Sequence, residues 1–345
     1  MTERLARRFA VTFYSLAPAN PGFRPEGFRF RAPPAAIERA GVRGSRWLAL
    51  AARFAADQVG GRCDAVLSFW GHPMGAFAVA LARLARRPAA VMLLGAETAD
   101  LPAIGYGHLG RPAARRRLLQ TCARAAALIA VSGYQLDRLA AHGFRRDDAR
   151  VVPLGAETEM FPFEPRRAGV PLKIIHVANL TKVKDQATLL RAFARLRADV
   201  DARLRVVGSD HLGGEMQRLA RSLGVQAEVE FTGAVPYSDM PAHYRWADMF
   251  VLTSLSEGQN RGLTEAAMCG VLQVGTPVGH LHDLGEDAAV LVRTGDPEDV
   301  ARRIKEIVAD PAGWQRRVDA ARAWAAAHDM DWTVDRIAQI IDGLS

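Results

Sequence analysis

At 345 residues the chain exceeds the roughly 250 to 300 at which one hydrophobic core stops growing, so two domains of ordinary size are expected. With 49% hydrophobic and 24% charged residues and a mean hydropathy of -0.02, it is neither a disordered chain nor a polytopic membrane protein. No apolar run approaches the roughly 20 residues of a spanning helix.

The net charge of +8 is unevenly spread: residues 1–170 hold 25 Arg or Lys against 13 Asp or Glu, and the remainder 20 against 24. A basic front half suits an anionic partner, whether a phosphorylated acceptor, an acidic bilayer surface or nucleic acid; equally, 41 of the 45 basic residues are arginine and read as solvated helix faces. Nucleic acid is disfavoured because no recognised module or interleaved aromatics accompany the charge. Cys63, Cys122 and Cys269 are far apart and form no CxxC pair, which argues against disulfides and a zinc site and for a reducing cytosol.

In chain order, the opening MTERLARRFAVTFYSLAPA has a basic start, but Thr12, Tyr14 and Ser15 interrupt the apolar stretch of a signal peptide, so a buried strand is expected. Residues 17–34, with Pro18, Pro21, Pro25, Pro33 and Pro34, read as an extended connection. Short apolar runs then alternate with helical stretches: DAVLSF (64–69), PAAVMLL (88–94), ALIAV (127–131) and ARVVPL (149–154). This is the βαβ rhythm of a parallel sheet. After the linker-like FPFEPRRAGVPL (161–172) the rhythm restarts with LKIIHVA, RLRVVG, VEFTG, MFVLTS, LQVGT and AVLV. Asp296-Pro297 is a helix N-cap with proline at the first helical position. The expected architecture is two doubly wound α/β domains in tandem.

Ligands of open parallel sheets bind beyond the carboxyl ends of the strands. After MFVLTS comes LSEGQNRGLTEAAMCG, with Glu257 in the strand-to-helix loop and Glu265 eight positions on. Carboxylates accept hydrogen bonds from sugar or ribose hydroxyls, so this pair suits two parts of one donor. The backbone amides of Gly258, Gln259 and Asn260 suit a phosphate. Alone, Glu257 is equally a loop residue and Glu265 a glutamate stabilised by its helix dipole. Lys184, just beyond KIIHVA, is placed to neutralise a diphosphate, with Lys182 beside it; both also fit solvated helix-entry lysines. VVGSDHLGGE offers a further turn at Gly208 but lacks dinucleotide spacing.

The ordered set HVANLTKVKDQATLLRAFARL, RLRVVG, EVEFTGAVPYSDMPAHYRWADMFVLTS and SEGQNRGLTEAAMCGVLQVGTPVG resembles the donor domain of retaining glycosyltransferase family 4, with the two-domain GT-B fold facing a cleft. The front half resembles its acceptor domain through FWGHPMGAFAVALARLARRPAAVMLLGAETADL, ARAAALIAVSGYQLDRLAAHGF and VVPLGAETEMF. The resemblance implies an acceptor-side domain over 1–165, a nucleotide-sugar donor domain over 166–324, and C-terminal helices at about 325–345 returning to the first domain. It implies that Glu257 contacts the transferred sugar, Glu265 the ribose and Lys184 the diphosphate. The GAVPY turn, with Val235 and Pro236, would lie near the base. Glu97 in LGAET falls at the family's acidic cleft position.

Departures are visible. Asn179 replaces the family's arginine after the first donor strand, Leu94 replaces its acceptor-side histidine, and Gly279-His280 replaces paired glycines. The chain opens at what resembles the family's second strand, FAVTFY, so either translation starts upstream of Met1 or the acceptor side lacks its first strand-loop-helix unit. Asp329-Met330-Asp331 mimics a metal-binding D-x-D but lies among helices, and His72, His108, His280 and His282 lack metal-ligand spacing.

The function implied is a retaining, metal-independent sugar transfer from a nucleotide sugar, itself a substrate and no cofactor, to a glycan or glycolipid acceptor. The enzyme would be cytoplasmic, in contact with an anionic membrane, and would serve surface polysaccharide or glycolipid synthesis. The alternatives are a catalytically impaired nucleotide-sugar-binding protein and a GT-B epimerase or phosphorylase.

Overall fold

The computed structural model describes residues 1–19, 22–34, 37, 44–61, 63–165 and 168–344. In the front half, α1 (Thr2–Leu5), β1 (Thr12–Tyr14), β2 (Arg29–Arg31) and α2 (Ser45–Gly60) precede β3 (Val66–Phe69), α3 (Ala76–Leu84), β4 (Ala89–Leu93), α4 (Pro112–Arg124), β5 (Ala127–Ala130), α5 (Gly133–Ala141) and β6 (Arg150–Val151). In the rear half come β7 (Leu172–Val177), α6 (Gln186–Leu196), β8 (Ala202–Val207), α7 (Glu215–Ser222), β9 (Val229–Gly233), α8 (Met240–Trp246), β10 (Met249–Leu252), α9 (Arg261–Met268), β11 (Leu272–Gly275), α10 (His280–Ala288) and β12 (Val290–Leu291). Three helices close the chain: α11 (Pro297–Val308), α12 (Pro311–Ala327) and α13 (Met330–Asp342).

The rear sheet is parallel, in the order β12-β11-β10-β7-β8-β9. This is the doubly wound order, and its reversal point lies between β7 and β10. Neighbouring residues of each central strand face opposite cores: Ile174, Met249 and Val251 pack with α6 and α11, whereas Ile175, Phe250 and Leu252 pack with α8 and α9. Burial on both faces explains the continuous apolar runs in these strands. Asp296 caps α11 by accepting from Glu298 N and Asp299 N, at the position its Asp-Pro signature indicates.

The front sheet is also parallel, in the order β3-β4-β5-β6. Val91 and Leu93 face α3 and α4, while Met92, Ile129, Val131 and Val152 face Met330, Val334 and Ile337 of α13, with Leu5 of α1. Correcting the expectation of a buried strand, FAVTFY yields a half-buried β1 that pairs with β2 in a separate two-stranded parallel ribbon. Phe13 stacks on Phe30, and the Tyr14 hydroxyl donates to Asp57, so this segment is satisfied outside the main sheet.

The chain crosses between lobes twice, side by side. Met330 N donates to Ala156 O, Gly155 N to the Thr333 hydroxyl, and Thr333 Oγ1 to Pro153 O. Ala156 and Phe161 already pack in the rear core, so the start of the linker-like stretch is anchored; Arg166 and Arg167 lie outside the described residues. Asp329 caps α13 by accepting from Trp332 N and Asp331 pairs with Arg4, so the D-x-D lookalike is spent on a helix cap and an ion pair.

Candidate active site

The reversal point of a doubly wound sheet leaves a crevice, because the helices after the two central strands depart to opposite faces. The turn after β7 and the loop after β10 meet there. Leu255 N donates to Val183 O, and the Thr253 hydroxyl donates to Asp185 O, tying the two together. Asp185 turns into α6 with a positive φ of 46° and accepts from Thr188 N. Lys184 thereby projects over the loop, and its Nζ lies 2.6 Å from Oε1 of Glu257. The same oxygen accepts from the Ser254 hydroxyl at 2.7 Å. Glu257 is 8% exposed, so its charge is held by a cation and a hydroxyl in a mostly dry setting.

Glu265, one turn into α9 and 5% exposed, forms a second acidic point. Its carboxylate accepts from the Tyr244 hydroxyl at 2.8 Å, the Tyr237 hydroxyl at 3.1 Å and Arg261 Nη2 at 3.3 Å. Burial raises its pKa, and the Tyr244 bond and the Arg261 charge oppose that shift. Arg261 also bonds the Tyr237 hydroxyl at 2.9 Å and lies over that ring. Val235 and Pro236 lead directly into Tyr237, so the GAVPY turn adjoins Glu265.

The remaining candidates serve mainly to hold this edge in place. Asn260 caps α9 by accepting from Gly262 N, and its amide donates to Val177 O. The Gln259 amide pairs with both backbone groups of Leu154, so that side chain holds the crossing point. Gly208 packs on the turn after β7, where a methyl group would meet Ala178 O at 2.2 Å. The Asn179 side chain accepts from Ser209 N at 3.0 Å, and Lys182 is exposed. Beneath them, His176 Nδ1 donates to Val251 O at 2.9 Å, leaving Nε2 to accept from the Gln186 amide.

Glu97, at the acidic cleft position that the resemblance implies, has a buried carboxylate. It is 1% exposed, and its two oxygens accept from the amides of Gly71, Leu94 and Gly95. Three main-chain donors turn this carboxylate inward, so it braces the front edge of the cleft. Gly279 packs on the Glu257 loop, where a methyl group would lie 2.7 Å from Glu257 Cβ, while the His280 ring is buried with its centroid 4.1 Å from that of Trp324.

The two lobes meet at the backbone. A methyl group on Gly258 would lie 2.3 Å from Leu94 O and 2.7 Å from Gly95 Cα. The buried Ser132 hydroxyl donates to Gly258 O at 2.7 Å. Asp283 of α10 accepts from Gly133 N at 2.7 Å and Tyr134 N at 3.1 Å, capping α5 of the opposite lobe. Ser254, Tyr244 and Asp283 were not picked out from the sequence; among such residues only Arg261, four before Glu265, carried a readable spacing.

The profile described as Glycosyltransferase Family 4 matches residues 1–160, and that described as Glycosyl transferases group 1 matches residues 171–310. The chain belongs to the group 1 glycosyltransferases. Among relatives of this glycosyltransferase, a GDP-mannose-dependent alpha-(1-6)-phosphatidylinositol monomannoside mannosyltransferase of Mycolicibacterium smegmatis is 27% identical over 261 residues, covering 70% of this chain and 68% of the relative. A D-inositol 3-phosphate glycosyltransferase of Geodermatophilus obscurus is 30% identical, covering 64% of this chain and 58% of the relative. Anabaena HepE in complex with UDP and glucose superposes with a TM-score of 0.72 at 21% identity, covering 88% of this chain and 84% of that one. Sucrose-phosphate synthase from Thermosynechococcus elongatus superposes with a TM-score of 0.80 at 18% identity, covering 99% and 91%. These structural likenesses give the glycosyltransferase its fold, two α/β lobes about a cleft.

Proposed function

We propose that this glycosyltransferase moves a sugar from a nucleotide-diphosphate donor to an acceptor hydroxyl with retention of anomeric configuration. The observation that carries the reading is the Lys184–Glu257 pair at the reversal point of the rear sheet, beside the loop that touches the front lobe at Gly95. In the reaction the anomeric carbon to phosphate-oxygen bond breaks while the acceptor oxygen bonds that carbon from the same face. The departing phosphate oxygen takes the acceptor's proton.

Lys184 and the main-chain amides at the start of α9 stabilise the charge growing on the phosphate, and this reading needs no divalent ion. Glu257 orients the sugar, and Glu265 accepts from the ribose hydroxyls next to Tyr237. A same-face path explains why two carboxylates flanking the bond, as in glycosidases, are unnecessary. The nucleotide-bound structural relative and the GDP-mannose-dependent sequence relative support a nucleotide sugar as donor.

The test is turnover of UDP-, GDP- and ADP-sugars, with the fold checked by circular dichroism. Lys184→Ala and Glu257→Ala are each expected to lower turnover by roughly 10²- to 10³-fold, the scale for loss of one preorganised charge-stabilising group. Glu265→Ala should chiefly weaken nucleotide binding in calorimetry, and chelator should leave the rate unchanged. Undiminished transfer by the Lys184 and Glu257 variants would remove the mechanism.

We place the acceptor on a glycolipid or growing surface polysaccharide, with the basic front half lying against an anionic membrane. Sedimentation with vesicles rich in phosphatidylglycerol should fall with salt. Equal binding to neutral vesicles would remove the electrostatic contact.

A further inference from the structure

The front lobe carries an open valley outside the cleft, on the face of its sheet opposite α13. It runs between α3 and α4 and has a volume of about 560 Å³. Ala76, Val79, Ala80 and Arg83 line it from α3. Arg117, Gln120, Thr121 and Arg124 line it from α4. Both sets follow the spacing i, i+3, i+4 and i+7, so each helix turns one stripe toward the valley. No donor-side group borders it.

The floor is small and apolar. Ala76, Val79 and Ala80 supply it from α3, and the Thr121 hydroxyl beside them already donates to Arg117 O at 2.8 Å. Leu84 stands at the border of the valley with 84% of its surface exposed, at the end of α3. An open apolar floor with a protruding leucine marks a surface that gains from being covered.

The rim is cationic. Arg83, Arg117 and Arg124 are exposed, and none of the three side chains has a hydrogen bond or ion pair among the described residues. Neither helix contains an Asp or Glu, while α4 adds Arg115 and Arg116. Exposed arginines of the rear lobe, by contrast, reach acids: Arg195 pairs with Glu298 and Arg302 with Glu306. The counter-charge missing around the valley is one that the fold does not supply, which makes the surface complementary to an acidic partner.

A furrow between two neighbouring helices is filled most closely by a third, whose side-chain ridges enter it, and small residues at the floor let its backbone come near. A flat bilayer would meet the arginines and Leu84 without reaching the floor. Shape therefore favours a helix, and charge favours an acidic one.

We propose that the α3–α4 valley docks an acidic amphipathic helix of a partner protein, with its apolar stripe on Val79, Ala80 and Leu84 and its carboxylates on Arg83, Arg117 and Arg124. The docking site shares no residue with the donor site, and the inference does not depend on the transfer reading.

The test is fluorescence anisotropy of the full chain with labelled synthetic helices of about 15 residues. The probe carries leucine at i, i+3, i+4 and i+7 with glutamate beside that stripe. Its controls are the scrambled sequence and the same helix with lysine for glutamate. The acidic helix should bind about 10-fold or more tightly than either control, and added salt should weaken it. Arg83→Glu and Arg117→Glu should each remove most of that preference. Ala80→Trp, which fills the exposed floor and leaves the charge intact, should do the same, with the fold of every variant verified by circular dichroism.

Equal binding of the scrambled helix, or binding that survives both Arg117→Glu and Ala80→Trp, would overturn the inference. So would phosphatidylglycerol vesicles that bind the native chain and release it on Ala80→Trp while no acidic helix binds, since the valley would then hold lipid.

Discussion

Gly258 sits where the Glu257 loop touches Leu94 and Gly95, and the nearest atoms around it are backbone, which cannot swing aside. Gly258→Ala should therefore wedge the lobes apart and stretch the Ser132 bond to its carbonyl. We expect turnover to fall by about 10-fold or more, because small misplacements of reacting groups are costly, while nucleotide affinity changes little. Calorimetry beside a rate assay checks this, and unchanged turnover would show that the contact has no role in transfer. At this scale the sequence was informative about placement beside the central strands. Glu257 and Glu265 are eight apart on a strand-loop-helix unit, and Lys184 follows the neighbouring central strand. It was uninformative about direction. An acid after a glycine does not reveal that the Glu97 carboxylate turns back onto three amides, nor does a loop glutamine reveal that Gln259 reaches across to Leu154.

Among elements, α5 depends on a residue of the other lobe. The side chain of its own N-cap, Ser132, does not cap the helix but donates to Gly258 O; the free amides of Gly133 and Tyr134 are met by Asp283. Loss of a helix cap costs about 1 kcal/mol. Asp283→Ala should lower unfolding stability by about that amount and raise donor KM, because the same bonds hold the lobes together; denaturant titration and steady-state kinetics measure the two effects. A stability loss with KM untouched would show that the cap does not govern closure. No local pattern announces such a bond, since its partners lie about 150 residues apart. Each strand, by contrast, was legible from a short β-branched or apolar run, because burial on both faces of a parallel sheet leaves few other compositions. The exceptions were β1, whose run is equally compatible with a separate ribbon, and its partner β2, which falls in the proline-rich stretch read as an extended connection.

For the whole molecule, two histidines are buried without charge. Burial lowers His176 to about 4 and His280 to about 3, against an ordinary value of 6.5. The unfolded chain therefore takes up protons first as pH falls. Their contribution favours the fold fully above about pH 6.5 and is lost progressively toward pH 4, at up to about 1.4 kcal/mol per pH unit for each histidine. The unfolding midpoint should drop between pH 7 and pH 5, and His280→Gln should flatten that slope. A midpoint unchanged across this window would contradict the buried neutral assignment.

The final helix has a consequence for how the protein is made. Met330, Val334 and Ile337 fill one face of the front sheet against Met92, Ile129 and Val152. A nascent chain that emerges from the ribosome front half first must carry that greasy face uncovered until synthesis has passed residue 337. The rear lobe can mature meanwhile, so the earliest-translated sheet is the last to be sealed.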